Sequence, residues 1–454
     1  MSQREFDVIV IGAGPAGEVV AGRLGAGGLK VALVERHLVG GECSFYACMP
    51  SKALLRPAEA IDEARRIPGA AEAITGELDV AAVLDRRDEV VHNGDDSSQL
   101  PWLEERGVEL VRGDARITGE RTVTVGDDEL LARKAVVVAT GSDALIPPID
   151  GLRDAKPLTN REITTTHDIP ARLLVLGGGV VGVEMSQAFA SLGSQVTLVE
   201  GGERILAREE PFAAEQVHES LEQRGVRIIT GAKATAVHRN GDVTLELDSG
   251  ETLSGDEILV AVGRSLNTRD LGLENVGLKP GEPVAVRDTM QSTQHDWLYA
   301  IGDANGRVLL THMGKYQGRI ASDHILGKPV ELRSDGGQSP RVIFTDPQVA
   351  AVGHTEASAR EAGLNIRVVE VGSSANAGGS FYGRNAPGTA RIVVDEDRHV
   401  VVGATFTGPD IGEFIHAATI AVIGEVPLER LWHAVPSFPT RSELWLRLLE
   451  SYGL

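Results

Sequence analysis

The stretch Asp7-Val8-Ile9-Val10-Ile11-Gly12-Ala13-Gly14-Pro15-Ala16-Gly17 decides the reading of this chain. Four β-branched apolar residues in a row form a strand of the buried parallel type. Three glycines then open a helix. The first permits the tight turn, the second lets the backbone approach a pyrophosphate, and the third lets helix and strand pack closely. The phosphates of a dinucleotide lie at the positive helix N-terminus. The next strand, Val31 to Glu35, ends in an acid 18 residues after Gly17, where it can accept from both ribose hydroxyls. A lone glycine motif is weak evidence. Strand, helix and terminal acid together specify a dinucleotide site.

The pattern occurs twice, with starts about 165 residues apart, so it is a duplicated unit and not a short repeat. Leu173 to Leu176 leads into Gly177-Gly178-Gly179-Val180-Val181-Gly182. The strand Gln195 to Glu200 again ends in an acid 18 residues after the last glycine. A carboxylate at Glu200 favours a free 2′-hydroxyl and repels a 2′-phosphate. Arg204, beside Glu200 and Glu203, is a poor phosphate clamp, so NADH is expected over NADPH. Two nucleotide sites on one chain suggest an electron relay between a bound flavin and a diffusing nicotinamide. Ala135 to Ala139 reads as a further parallel-type strand. After the polar stretch Arg333 to Ser339 the pattern changes. Strands at Ala390 to Val394 and Val400 to Phe406, and helices at Ile411 to Ile423 and Ser442 to Glu450, read as an α+β domain.

Composition narrows the partners. The 454 residues are 42% hydrophobic and 24% charged, with 53 glycines, which is ordinary for a globular protein. A net charge of −21 disfavours nucleic acid and anionic membranes. No window approaches the roughly 18 apolar residues of a membrane span. The start, MSQREFDVIVIGAG, lacks a signal-peptide pattern, and a cytoplasmic location is expected. The 12 histidines show no metal-ligand spacing, so no metal site is expected. Asp95 and Asp96 read as a solvated loop.

Only two cysteines exist, Cys43 and Cys48, in Gly40-Gly41-Glu42-Cys43-Ser44-Phe45-Tyr46-Ala47-Cys48-Met49-Pro50-Ser51-Lys52. In a regular helix, Cα atoms five apart are about 8.6 Å distant. A disulfide needs less than about 7 Å. If these cysteines pair, the helix is distorted between them. A strained, accessible disulfide is the labile, catalytic kind. Lys52 adds positive charge that favours a thiolate. The alternative is two buried free cysteines acting as small hydrophobes.

With these segments in view, the chain resembles the pyridine nucleotide–disulfide oxidoreductase family (class I), whose members include dihydrolipoamide dehydrogenase, glutathione reductase and mercuric reductase. The redox signature GGxCxxxxCxPSK stands as GGECSFYACMPSK. The ATGS junction is Ala139-Thr140-Gly141-Ser142. The GGGxIGxE motif is GGGVVGVE, ending at Glu184. The VGR segment is Val262-Gly263-Arg264, with Asn267 after it, and the second flavin motif is Tyr299-Ala300-Ile301-Gly302-Asp303. The C-terminal domain opens with Val342-Ile343-Phe344-Thr345-Asp346-Pro347.

The resemblance implies an α/β fold of two Rossmann-like (doubly wound) nucleotide-binding domains plus a C-terminal α+β dimerisation domain. Residues 1–150 and 267–335 would bind FAD, 151–266 NAD(P), and 336–454 would form a homodimer. FAD would be held by Gly12, Gly14, Pro15, Ala16, Gly17, Glu35 and Asp303, and further cofactor contacts would come from Arg36, Gly41, Glu42, Lys52, Ala115, Thr140, Gly141, Ser142, Gly263, Arg264 and Gly302. The nicotinamide nucleotide would be held by Gly177, Gly179, Val180, Val181, Gly182, Glu184 and Glu200. Lys52 and Glu184 would pair near the flavin. Cys48 would be the charge-transfer thiolate and Cys43 the interchange thiol. The implied enzyme is an FAD-dependent NAD(P)H oxidoreductase that reduces a small-molecule acceptor: a disulfide, a quinone or a metal ion. Alternatives are a dihydrolipoamide dehydrogenase serving a 2-oxoacid dehydrogenase complex, and a low-turnover flavin-binding redox sensor. His312 and Lys315, in Leu310-Thr311-His312-Met313-Gly314-Lys315, resemble the segment beside the flavin ring and receive no catalytic role.

One position departs from the family. Disulfide-reducing members carry a proton-donating histidine in a C-terminal HPTxSE motif, given by the partner subunit. Here the run is Phe438-Pro439-Thr440-Arg441-Ser442-Glu443, so Phe438 stands at the histidine position and the orienting Glu443 remains. His433, five residues upstream, reads as a surface or packing histidine. Losing general acid–base help typically costs about 10²–10⁴-fold, so weak turnover of lipoamide or glutathione disulfide is expected. Phe45 and Tyr46 either narrow the disulfide channel or pack under the flavin. With Phe438 they alternatively line an apolar slot for a quinone.

Overall fold

Val8, Ile9 and Val10 are wholly buried, which is why the first strand carries no polar alternation. The computed structural model describes residues 3–384, 386 and 388–454. In it the strand runs Gln3–Ile11, longer than its apolar core suggests. The chain divides into two compact units.

The first unit comprises Met1–Pro50, Arg87–Leu145 and Gly263–Gly336. Its sheet has the order Val108–Arg112, Val31–Glu35, Gln3–Ile11, Asp128–Val138, Thr122–Val125, Ala115–Gly119, with Leu298–Ala300 also on Asp128–Val138. Gln3–Ile11 lies parallel between Val31–Glu35 and Asp128–Val138, and Ile11 is in register with Val34 and Val138. The carboxyl ends therefore line up where Gly12 begins, the usual ligand-binding edge of such sheets. Helix Pro15–Ala26 starts with proline in its first turn, as fits a residue whose missing N–H would be unsatisfied there anyway. Helix Thr311–Ile325 packs against it, and Gly318 lies so close to Ala16 and Val19 that a side chain would crowd them.

Asp96 departs from expectation. It is 9% exposed, accepts from the Val39 N–H at 2.7 Å and pairs with Arg112 at 2.5 Å. Asp95 alone faces solvent, holding Ser97. The acidic pair reads as polar in sequence, but one member fastens the loop that follows Glu35.

The second unit comprises Ser51–Arg86, Ile146–Val262 and Gly337–Leu454. A parallel sheet has the order Arg227–Thr230, Gln195–Glu200, Arg172–Leu176, Glu257–Val260. A three-stranded antiparallel sheet, Ala234–Asn240, Asp242–Leu247 and Thr252–Gly255, is inserted in it. Five antiparallel strands follow, in the order Arg341–Ile343, Gln348–Gly353, Val400–Gly408, Thr389–Asp395, Ile366–Gly372. Helices Ile411–Ile423 and Glu443–Tyr452 share a core with this sheet, where Phe406 meets Phe414 at 5.2 Å and Trp445 at 6.1 Å. No helix among the described residues is long and apolar enough to cross a membrane.

A buried ion cluster joins segments far apart in the second unit. Asp346, 4% exposed, accepts from Arg66 and from Arg224 at 2.8 Å, and Arg224 also reaches Asp62 at 2.6 Å. Removing one partner of such a cluster strands the other charges in a poor solvent. Asp346→Ala is therefore expected to lower unfolding stability by about 3–5 kcal/mol, read from denaturant midpoints. A loss below about 1 kcal/mol, the size of a surface pair, would contradict this account.

Candidate active site

The two glycine turns are built alike. Gly12 (φ 101°) and Gly177 (φ 108°) adopt backbone that a side chain rarely tolerates, and a Cβ on either would run into the carbonyl of Ala139 or Ala261. Gly14 and Gly179 face open space, and Gly17 and Gly182 press on the carbonyls of Gly12 and Gly177. The terminal acids match too. Glu35 accepts from Ala13 N–H and His37 N–H, each at 2.7 Å. Glu200 accepts from Gly178 N–H at 2.6 Å and Gly202 N–H at 2.7 Å. Each carboxylate oxygen keeps a second lone pair for a ribose hydroxyl. Val180 and Val181 follow Gly179 at the exposed start of their helix.

Around the first turn, the remaining candidates of the first unit converge in part. Gly41 packs on Gly14. Asp303 accepts from Ser142 Oγ at 2.5 Å, and Ser142 Oγ accepts from Arg264 Nε at 2.6 Å. Arg264 lies 3.7 Å from Glu42. Burial raises the Asp303 carboxyl above its ordinary range, partly opposed by Ser142. Gly141 and Gly302 both have positive φ, and Gly302 faces Ala16. Thr140 Oγ1 is buried with no partner. Arg36 instead pairs at 3.8–3.9 Å with Asp114 and Asp143, and Ala115 opens an edge strand half-buried. The open face at Gly14, the pinned acid and the orphaned Thr140 hydroxyl fit a bound FAD.

The cysteines flank a helix break. Helix Gly41–Phe45 ends at Tyr46, whose φ of −133° is not helical, and helix Cys48–Arg66 starts anew. The distortion that pairing requires is thus present. Both residues are thiols here. The hydrogen bond that Cys43 donates to Cys48, and then burial, push the Cys43 thiol up. Cys48 Sγ lies 3.5 Å from Thr311 Oγ1. Phe45 is 3% exposed, so it packs in the interior and lines no open slot.

In the second unit, Lys52 Nζ donates to Glu184 Oε2 at 2.8 Å. Glu184 is 3% exposed, and its other oxygen accepts from Phe344 N–H at 3.0 Å. The Lys52 ammonium also sits 4.7 Å from the centre of the Phe344 ring. One turn along, Gln187 Oε1 accepts from Asp346 N–H at 2.7 Å. Glu443 is buried, with Oε2 lacking any hydrogen-bond partner. Phe438, before a cis peptide to Pro439, is 76% exposed. His433 is exposed. The Arg441 guanidinium stacks on Tyr382 at 4.7 Å and lines a cavity of 590 Å³ with Glu63, Ile67 and Phe381. Among the described residues no group of three or more His, Cys, Asp or Glu is placed to hold a metal.

Sequence reasoning passed over Thr311, Phe344, Gln187 and Glu18. Thr311 alone carried a signal, as a hydroxyl in the first turn of a helix whose N-cap is Leu310, so no cap uses it.

Comparison with known proteins adds the following. Residues 6–318 match the model of the pyridine nucleotide-disulphide oxidoreductase family, and 339–448 that of its dimerisation domain. A dihydrolipoyl dehydrogenase of Thermus scotoductus is 35% identical, over 97% of this chain and 96% of its own. A mercuric reductase of Staphylococcus aureus is 31% identical, over 97% and 81%. The Cu(II) complex of the HOCl-induced flavoprotein disulfide reductase RclA from Escherichia coli superposes with a TM-score of 0.86 at 26% identity, over 98% and 99%.

Glu18, in the first turn of helix Pro15–Ala26, yields a test. Burial pushes its carboxyl up to about 7, with Lys315 opposing and Glu35 adding. An acid whose folded pKa is raised costs nothing below its unfolded value. It destabilises increasingly as pH rises through the window between the two, and the cost saturates above about 7, at roughly 3 kcal/mol. Glu18→Gln is expected to gain stability over wild type as pH rises from about 4.5 to about 7, then level off. A pH-independent difference in unfolding midpoints would refute it.

Proposed function

Because the chain belongs to the pyridine nucleotide–disulphide oxidoreductase family, we propose that it carries electrons from NADH through Cys43 and Cys48 to an acceptor whose reduction needs no proton on a leaving group, and that a soft metal ion fits best. The protein is an FAD-dependent enzyme of the disulfide reductase type, using NAD(P)H. The apposition of the two thiols across a helix break carries this reading. Bound FAD supplies the two-electron centre that takes hydride and passes an electron pair on.

The chain's residues do the rest. The turn at Gly12 to Gly17 and the carboxylate of Glu35 seat one dinucleotide; the turn at Gly177 to Gly182 and Glu200 seat the other. Glu200 is pinned at both oxygens beside the second glycine turn, where its carboxylate repels a 2′-phosphate, and Arg204 gives its Nη2 to the carbonyls of Ala207 and Glu209. This supports NADH. Glu184 holds the Lys52 ammonium in one place. Cys43 meets the acceptor and Cys48 keeps the charge. We divide the chain accordingly into an FAD domain at 1–150 and 267–335, an NAD domain at 151–266 and a dimerisation domain at 336–454; the last supports a homodimer.

Phe438 argues against lipoamide. Reducing an external disulfide requires protonating the thiol that leaves, and neither Phe438 nor an exposed His433 is placed to do so. A metal ion needs electrons alone, and thiolates suit soft metals. The names of two relatives, a mercuric reductase and a Cu(II)-bound flavoprotein, favour this class. A second reading, dihydrolipoamide dehydrogenase for a 2-oxoacid dehydrogenase complex, draws on the 35% identical relative.

The test compares holoenzyme turnover of Hg(II), Cu(II), lipoamide and a quinone with NADH as donor. Metal-ion reduction lost in Cys43→Ser is expected, with lipoamide about 10²-fold slower and raised by Phe438→His. Lipoamide turnover matching the metals in the wild type would overturn the proposal. NADH is expected to exceed NADPH in kcat/KM by at least about tenfold, roughly the discrimination one unfavourable charge provides; equal values would remove the role given to Glu200.

A further inference from the structure

Arg441 fills the unspecified position of the HPTxSE run, and the cavity it lines lies wholly within the second unit. Its guanidinium stacks on the Tyr382 ring at 4.7 Å, while Nε and Nη1 are buried with no acceptor among the described residues. A buried donor left unpaired costs free energy, more so on a charged group. Burial accordingly holds this guanidinium below its ordinary value, with Tyr382 and then Asp410 opposing. The acid on the same cavity, Glu63, is engaged elsewhere, since its carboxylate pairs with Arg56 at 3.2 Å.

The rest of the cavity is largely apolar. Ala60, Ala64 and Ile67 line it from the helix Cys48–Arg66 and just beyond, and Phe381 and Pro439 line it from two loops. Phe381 is 66% exposed, so its ring has surface to offer. These walls are preset. A Cβ on Gly378 would strike the backbone of Thr440 and Arg441, and one on Gly383 (φ 96°) would strike the carbonyl of Arg66. The Arg384 N–H also donates to that carbonyl at 3.0 Å. The loop carrying Phe381 and Tyr382 is thereby fastened at both ends. The volume of 590 Å³ falls in the range of about 300–1,000 Å³ typical of small-molecule sites.

We propose that this cavity binds a small monocarboxylate with an apolar body, whose carboxylate accepts from Arg441 and whose chain lies along Ile67 and Phe381. A single unanswered cation among methyl and ring carbons selects one negative charge on an apolar frame. A second charge on the ligand would be driven against apolar walls. The site lies outside the electron relay, because neither cysteine and no residue assigned to a dinucleotide lines it.

The probe is octanoate, with 1-octanol as its neutral counterpart, titrated calorimetrically into FAD-loaded enzyme. One octanoate per chain is expected to bind, at least about tenfold more tightly than octanol, the scale of one hydrogen bond to a charged group. Arg441→Met is expected to bring octanoate down to the affinity of octanol and to leave octanol unchanged. Ala64→Trp, which fills the cavity, is expected to abolish binding of both. The comparison of octanoate with octanol needs no variant, so a misfolded Arg441→Met does not shield the proposal. Equal affinity for the two probes, or octanoate binding undiminished in Arg441→Met or Ala64→Trp, overturns it. So does the lack of saturable binding below about 1 mM, the result expected if the partner subunit fills the cavity instead. Cysteines that take no electrons from NADH would remove the proposed function and leave this inference standing.

Discussion

Glu184 is 3% exposed, and a carboxylate at that depth has to be answered by donors. Two distant segments of the second unit answer it. Lys52 arrives on the helix that begins at Cys48, and the Phe344 N–H arrives on the stretch that leads into the C-terminal sheet. The same helix that carries Glu184 presents Gln187 to Asp346, and Asp346 gathers Arg66 and Arg224. One buried acid thereby fixes where the Lys52 ammonium stands. The Phe344 ring beneath that ammonium narrows its freedom further. The geometry of the cationic group in the redox segment is set by packing in a unit that also contains the second nucleotide turn.

The cysteine pair obeys a different constraint. Two thiols five residues apart cannot meet on a continuous helix, so the chain breaks at Tyr46 and restarts at Cys48. The break gives Cys43 a hydrogen bond to Cys48, which makes Cys43 the sulfur that holds its proton. That direction supports the role proposed for Cys48 as the charge-bearing thiol. On the proposed function, an aromatic side chain at 438 withholds the acid that reduction of an external disulfide needs and leaves electron transfer into the pair untouched. The buried, unanswered Glu443 oxygen is consistent with a site that has kept one half of an acid–base pair.

Much of this was legible in the sequence. The two glycine turns and their terminal acids lie in single segments, so spacing alone located Gly12, Gly17, Glu35, Gly177, Gly182 and Glu200. Helix Ile411–Ile423 has the bounds its apolar pattern indicated. What escaped depends on residues far apart in the chain. Asp96 looks like half of an acidic loop until Arg112 and the Val39 N–H reach it. The backbone bridges made by Glu35 and Glu200 need two turns to come together. Phe45, one of three aromatics offered for a quinone slot, is buried, because hydrophobicity cannot say which way a side chain points. Thr311 touches Cys48 across 263 positions, a distance no local pattern spans.

The central claim is that electrons from the nicotinamide pass through the thiol pair. The most direct measurement is an anaerobic stopped-flow titration of the oxidised FAD-loaded enzyme with NADH, beside Cys48→Ser. The account predicts a long-wavelength thiolate–flavin absorbance in the wild type that is absent from the variant. Direct appearance of fully reduced flavin in both proteins, with no such band in either, would contradict it and place acceptor reduction at the flavin itself.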